Sequence, residues 1–115
     1  RPEPMLKGII SDLDNTLWAG IVGEDGVDAV SWDLDHKTQH HGLYQEQLAS
    51  LAASGTLLAI ASKNEAAVVE QALNRDDLVI SQDQVFPIEA NWGAKSESIS
   101  RILQAWNVGP DAVMF

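Results

Sequence analysis

The stretch of sequence that decides the fold is LKGIISDLDNT, residues 6–16, in which an apolar run meets a cluster of acidic and polar side chains. The run has a β-branched centre and no polar alternation, which is typical of a strand buried in a parallel sheet. We therefore predict a first strand at residues 6–13. Open parallel sheets bind ligands at the carboxyl ends of their strands, so Asp12 and Asp14 become candidate site residues.

Outward from this strand, the chain alternates apolar runs with helical patterns. Continuous apolar runs predict further strands at residues 56–61 and 112–115. Apolar residues at helical spacing predict helices at residues 35–54, 65–73 and 94–106. This alternation predicts an α/β fold, in which right-handed crossovers connect the strands of a parallel sheet.

Three segments do not follow this alternation. Residues 17–33 carry glycines among short apolar segments, a pattern that predicts a small β-hairpin flap. Residues 77–88 are ambiguous between short strands and a loop, and Pro87 excludes a helix through them. Residues 1–4 are expected to form an extended lead-in rather than a domain.

Composition limits the classes of function. With 115 residues, 45% of them hydrophobic, the chain has the size and core of one domain. The absence of cysteine excludes a disulfide or a thiolate nucleophile, and the net charge of −10 argues against nucleic acid as a partner. No apolar run is long enough to span a bilayer, and no signal-peptide pattern is visible. We expect a cytoplasmic protein without a membrane partner.

Asp12 and Asp14 form the first candidate site. On a strand, residues two apart point to the same side, so these carboxylates are expected to lie close together and to recruit Mg²⁺. One carboxylate is suited to nucleophilic attack on phosphorus and its neighbour to proton transfer, so we assign Asp12 as nucleophile and Asp14 as acid/base. The plain alternative is that the pair only marks a solvated strand end.

Polar residues at two further positions favour a functional site over a solvated strand end. Ser62 and Lys63 follow the second predicted strand, where a hydroxyl and backbone amides can hold phosphate oxygens. Lys95 begins a predicted helix, and its ammonium group can neutralise charge on Asp12 and on a phosphoryl group. We therefore predict four catalytic residues, with Ser62 and Lys95 binding phosphate. Substrate contacts are expected from neighbouring side chains: Asn15, Thr16, Trp18, Lys63 and Asn64. For Trp18, core packing is an equal alternative.

These motifs resemble the haloacid dehalogenase superfamily: Asp12-x-Asp14-x-Thr16 matches its first motif, Ser62 its second and Lys95 its third. The resemblance implies a Rossmann-like parallel sheet with helices on both faces, Mg²⁺ as cofactor and an aspartyl nucleophile. Between the first two motifs there is room for one flap and one helix only, so no large cap domain is expected. The whole chain, residues 1–115, is then one such domain.

Finer signatures resemble the FkbH-like family of polyketide biosynthesis. The matching text comprises DLDNTLW at residues 12–18, GIVGEDG at 20–26, SKNE at 62–65, and Asn91-Trp92 before Lys95. The resemblance implies that the protein dephosphorylates 1,3-bisphosphoglycerate and loads a glyceryl unit onto an acyl carrier protein.

The sequence departs from that family at two points. Ala61 stands where the family usually has a cysteine before Ser62, which leaves the acyl half of the reaction less supported than the phosphoryl half. The superfamily's fourth, acidic motif is expected after Phe115, so we expect the native chain to continue there. Two alternatives stay open: a stand-alone Mg²⁺-dependent phosphatase, and a non-catalytic docking or phosphate-binding module of a synthase.

Overall fold

The computed structural model describes residues 6–115, so the predicted lead-in at residues 1–4 lies outside the described part. Within these residues there are four strands: β1 (Gly8–Ser11), β2 (Leu57–Ser62), β3 (Val85–Ala90) and β4 (Val113–Met114). Four helices accompany them: α1 (Val22–Asp25), α2 (Gln39–Ala53), α3 (Ala66–Leu73) and α4 (Lys95–Trp106). Short 3₁₀ turns at Gln82–Gln84 and Pro110–Ala112 precede β3 and β4.

The strands form one parallel sheet in the order β3-β2-β1-β4, which confirms the predicted α/β fold. The ambiguous segment at residues 77–88 resolves into turns followed by β3, which begins at Val85 and continues to Ala90, beyond the end of the segment. Pro87 is tolerated in β3 because that strand lies at the edge of the sheet and has a neighbour on one side only.

Side-chain alternation in the two central strands divides the core into two layers. Ile9, Leu58 and Ile60 face one side, where they pack with Leu48 of α2 and Val69 of α3. The residues between them face the other side and pack against α4; this second cluster comprises Ile10, Ala59, Ala61, Ile102 and Val113. Helices therefore cover both faces of the sheet, as expected.

The flap differs from its prediction. Residues 17–33 do not form a β-hairpin; Ala19 and Ser31 make a single antiparallel bridge, and α1 lies between them. A helical turn is favoured over a hairpin here because Asp25 accepts a hydrogen bond of 2.8 Å from the backbone N–H of Ile21, which closes the turn locally. The glycine pattern was thus interpreted correctly as a flap but wrongly as extended structure.

The first strand is shorter than predicted. β1 ends at Ser11, so Asp12 and Asp14 lie in the loop after the strand and not on it. The argument from strand alternation therefore does not apply to their side chains.

Helix α2 begins at Gln39, four residues later than predicted, after Lys37 adopts a left-handed backbone with φ of 59°. Not all of the apolar residues that predict this helix are buried: Leu48 is, but Leu43 is 60% exposed, and the polar residue Gln45 is fully buried. The carbonyl oxygen of Trp32 packs so closely on Gly42 that a Cβ there would overlap it.

Between β1 and β2, the chain forms only the flap with α1 and the helix α2. The described residues therefore contain no large cap domain. Within this same part of the chain, no helix has the length and apolar character needed to cross a membrane.

Candidate functional site

The predicted polar residues converge at the carboxyl edge of the sheet. Asp12 follows β1, Ser62 is the last residue of β2, and Lys95 is the first residue of α4, which follows β3. Strands β1 and β2 are paired neighbours, with Ser11 opposite Ile60, so the loops that leave them are adjacent. The fold therefore gathers three separated motifs into one place.

Asp12 faces Lys95. The Nζ atom of Lys95 lies 3.0 Å from Oδ2 of Asp12, and the two side chains are 43% and 45% exposed. The other oxygen of Asp12, Oδ1, accepts a hydrogen bond of 2.8 Å from the backbone N–H of Leu13. The carboxylate is thus accessible to solvent on one side and held by a cation on the other.

Asp14 has quite different surroundings. Its Oδ1 accepts hydrogen bonds of 3.0 Å from the indole Nε1 of Trp18 and from the backbone N–H of Val22 at the start of α1. Its Oδ2 accepts a third, also 3.0 Å, from Nδ2 of Asn64. Three donors aimed at one carboxylate restrict its orientation.

Asn64 joins Asp14 to the end of β2. Its Nδ2 also donates to Oγ of Ser62 at 2.8 Å, and its side chain is almost completely buried. The site residues Asp14, Asn64 and Ser62 therefore form one hydrogen-bonded chain across the two central strands.

Two predicted substrate contacts are corrected by this geometry. Trp18 is fully buried and contacts Asp14, so its indole is not available to a substrate at the mouth of the site. Asn64 is likewise buried and bonded within the protein. For Trp18 the structure therefore favours the alternative of core packing, and for Asn64 it replaces a substrate contact with contacts inside the protein.

Asn15 and Thr16 shape the loop after Asp14. Asn15 adopts a left-handed backbone with φ of 56°, and its Oδ1 accepts a hydrogen bond of 2.9 Å from the N–H of Gly20. Thr16 lines a cavity of about 350 Å³ together with Asp12, Lys95 and Tyr44. Of these two residues, Thr16 is the one placed to meet a ligand.

Helix α2 supports the loop with a polar stripe that the sequence analysis missed. His41, Tyr44 and Gln45 lie on the same helix face as the buried Leu48. They hydrogen-bond, respectively, to the Thr16 carbonyl oxygen at 2.8 Å, the Ser11 hydroxyl at 3.0 Å and the Leu17 carbonyl oxygen at 2.7 Å. The available signal was their spacing from Leu48, which places polar atoms on a buried face.

The loop after β3 is tied to the end of β2. The N–H of Asn91 donates to the carbonyl oxygen of Ser62 at 3.1 Å, and Nε1 of Trp92 donates to Glu65 at 3.1 Å. Trp92 remains largely exposed, and Lys63 is exposed between these contacts. Both side chains are therefore accessible at the rim of the site.

The far end of the flap is anchored separately. Arg75 donates to the carbonyl oxygens of Val27 and Val30, forms an ion pair with Asp77, and lies 4.2 Å from the ring centroid of Trp32. The segment that leads away from Asp14 and α1 is therefore fixed to the loop after α3.

The donor set suits a hard cation only in part. In residues 6–115, no three His, Cys, Asp or Glu side chains are grouped as a ready-made metal site. A carboxylate offers about four acceptor positions, of which Asp12 uses two and Asp14 uses three. The remaining positions fit Mg²⁺, which commonly takes one or two carboxylates and completes its shell with water and substrate phosphate.

The comparisons with known proteins agree with this geometry. No protein-family model matches the chain, and no curated protein sequence matches it either. A solved structure is similar: the N-terminal part of the protein BF1531 from Bacteroides fragilis, which contains a phosphatase domain complexed with Mg. The TM-score is 0.87 at 29% identity, and the match covers 96% of this chain and 30% of that chain. The protein therefore has the fold of a haloacid-dehalogenase-like phosphatase domain.

Proposed function

We propose that this protein is a Mg²⁺-dependent phosphatase of the haloacid dehalogenase type with Asp12 as its nucleophile. The observation that carries the proposal is the ion pair of 3.0 Å between Lys95 and Asp12 at the carboxyl edge of the sheet, beside the chain of Asp14, Asn64 and Ser62. The Mg-complexed phosphatase domain of similar fold supports the same chemistry.

The proposed roles follow from the contacts. The Asp12 carboxylate attacks phosphorus and forms an aspartyl phosphate while the bond from phosphorus to the leaving oxygen breaks. Asp14 gives a proton to the leaving oxygen and then takes one from the water that hydrolyses the aspartyl phosphate. Lys95 and the Ser62 hydroxyl neutralise and hold the phosphoryl oxygens. Asp12 and Asp14 would hold Mg²⁺, which supplies electrostatic stabilisation to the phosphoryl group.

We further propose that the substrate is 1,3-bisphosphoglycerate and that a glyceryl unit passes to an acyl carrier protein in the cytoplasm. In this reaction the carrier thiol attacks the acyl carbon and displaces phosphate, while the remaining phosphomonoester is hydrolysed through Asp12. The motif text at residues 12–18, 20–26 and 62–65 supports this assignment. An uncapped cleft, as seen in the described residues, also admits a protein-tethered arm more readily than an enclosed one.

One observation favours the plainer phosphatase. Ala61 is completely buried, and its side chain packs in the second core cluster with Ile10 and Ile102, facing away from the hydrogen-bonded chain at Ser62. Acyl transfer in this protein would thus need direct attack by the carrier thiol, with no acyl-enzyme on residue 61. A phosphatase that does not load a carrier needs no acyl-enzyme and therefore no nucleophile at residue 61.

The test uses the full-length protein, Mg²⁺, 1,3-bisphosphoglycerate and a carrier protein that bears its phosphopantetheine arm. Phosphate release that is lost with EDTA and with Asp12→Asn supports the phosphatase, and a carrier mass increase of one glyceryl unit supports the transferase. Phosphate release without any carrier adduct identifies the plainer phosphatase. A complete lack of turnover with this and other phosphomonoesters would favour the non-catalytic module and reject the proposal.

A further inference from the structure

Asn64 lies between two site residues, Asp14 and Ser62, and hydrogen-bonds to both. Its single Nδ2 group donates to Oδ2 of Asp14 at 3.0 Å and to Oγ of Ser62 at 2.8 Å. Both hydrogens of the amide are therefore used, one on each partner. No other described side chain contacts both residues through hydrogen bonds.

The chemistry of the two acceptors decides what these bonds do. Oδ2 of Asp14 accepts the hydrogen bond, so the amide presents its NH₂ group to Asp14. The Ser62 hydroxyl accepts from the same NH₂ group, which leaves the hydroxyl hydrogen free to donate. A free hydroxyl donor is what an anionic phosphoryl oxygen requires.

Burial makes the arrangement rigid. Asn64 is 2% exposed, and a Cβ added to Gly23 of α1 would lie 3.4 Å from its Oδ1, so the flap covers the amide. A buried hydrogen-bonded amide has little freedom to reorient, and a small error in geometry at a reacting centre costs much of the rate.

From this geometry we infer that Asn64 is a positioning residue. It fixes the proton-transferring Asp14 and the phosphate-binding Ser62 relative to each other. The inference rests on the proposed phosphatase function and deepens it. Asn64 does not touch the substrate; it acts through its two partners.

Two phosphate esters separate positioning from general structural support. An alkyl phosphate needs a proton on its leaving oxygen, whereas para-nitrophenyl phosphate has a leaving group that departs without one. For Asn64→Asp, which keeps the shape but removes both donors, we expect kcat/KM to fall about 100-fold on the alkyl ester and less than about tenfold on the nitrophenyl ester. The ratio kcat/KM is compared because it covers only the steps up to departure of the leaving group, whereas hydrolysis of the aspartyl phosphate is common to both esters. Asn64→Leu, whose side chain has no polar atoms, is also expected to lose more activity on the alkyl ester than on the nitrophenyl ester.

Gln45→Leu is the matched control. Gln45 is also fully buried and also hydrogen-bonded through its amide, but its partners are the backbone groups of Leu17 and Val79. Its loss should affect both esters by the same factor. Equal losses on both esters for Asn64→Asp and Asn64→Leu, as for the control, would overturn the assignment.

Binding of inorganic phosphate, measured by calorimetry on the Mg²⁺-loaded protein, tests the Ser62 half without turnover. Ser62→Ala and Asn64→Leu should each weaken binding, and the double variant should be no weaker than Ser62→Ala alone, since coupled residues are not additive. Additive losses would contradict the coupling. Wild-type turnover tests the phosphatase function separately, so the two failures remain distinct.

Discussion

Asp12 and Asp14 are two residues apart in sequence, yet their surroundings differ in almost every respect. Asp12 is half-exposed on an open cavity and pairs with one flexible cation, Lys95. Asp14 is fixed by three donors, two of which come from the flap. The difference fits the roles proposed for them, in which the accessible carboxylate attacks phosphorus and the carboxylate held in one orientation transfers a proton.

Replacing each aspartate with asparagine gives the strongest test of this comparison. We expect Asp12→Asn to reduce phosphate release by at least about 10⁴-fold, because the nucleophile is lost. Its stability should change by at most about 1 kcal/mol, since exposed ion pairs contribute little.

Asp14→Asn is expected to reduce phosphate release by about 10²–10⁴-fold and also to destabilise the fold by about 1–3 kcal/mol. The stability cost arises because an amide cannot accept hydrogen bonds from all three donors. Phosphate assays and urea unfolding of both variants check the contrast. Equal losses of stability would show that the flap does not depend on Asp14.

Lys95→Met tests the accessible side of the site. We expect phosphate release to fall by about 10²–10³-fold, because the ammonium group no longer stabilises charge on the phosphoryl oxygens. Stability should change little, since the Lys95–Asp12 pair is solvent-screened. Lys7→Met is the matched control, at an exposed lysine that precedes β1 and so lies at the opposite end of that strand. An equal loss of activity for the control would show that Lys95 has no specific role in holding phosphate.

Trp18→Phe tests the fixed side. The change removes the indole donor to Asp14, so we expect about a tenfold loss of phosphate release and a stability loss of about 1–3 kcal/mol. Trp106→Phe removes an indole hydrogen bond to the carbonyl oxygen of Phe86, on the strand β3, and serves as the control. If both variants lower activity by the same factor, Trp18 acts through stability and not through Asp14.

The outline of the site was predictable because its polar residues stand at strand ends, where a parallel sheet brings them together. Ser62 at the end of β2, and Lys95 at the start of the helix that follows β3, could be placed in this way without any knowledge of the fold's details. The fold class was predictable for the same reason, since buried parallel strands are continuous apolar runs.

The sequence left Trp18 open between substrate contact and core packing, and it did not predict the inward role of Asn64. Whether each side chain meets substrate or protein depends on where the flap folds, and that is decided by tertiary contacts such as the one between Val22 and Asp14. Gln45 was missed for a related reason: a polar residue on a helix is usually exposed, and only its two backbone partners justify its burial.

Asp33, near the end of the flap, offers the mildest test of how an aspartate is held. The ring and the backbone N–H of His36 both hydrogen-bond to Oδ1 of Asp33, and these bonds hold the pKa of that carboxyl below its usual 3.8. The stability that the charged carboxyl contributes is therefore fully present above pH 3.8 and is lost as the pH falls through the lowered pKa.

Asp33→Asn keeps an acceptor for the backbone N–H of His36 but cannot ionise. The difference in unfolding free energy between wild type and this variant should stay constant down to about pH 4 and shrink below it. Urea unfolding across the acid range measures this. Phosphate release near neutral pH should be unaffected, because Asp33 hydrogen-bonds His36 and not Asp14. A loss of activity in this variant would contradict this expectation. It would show that the end of the flap also influences Asp14, with which Asp33 forms no hydrogen bond.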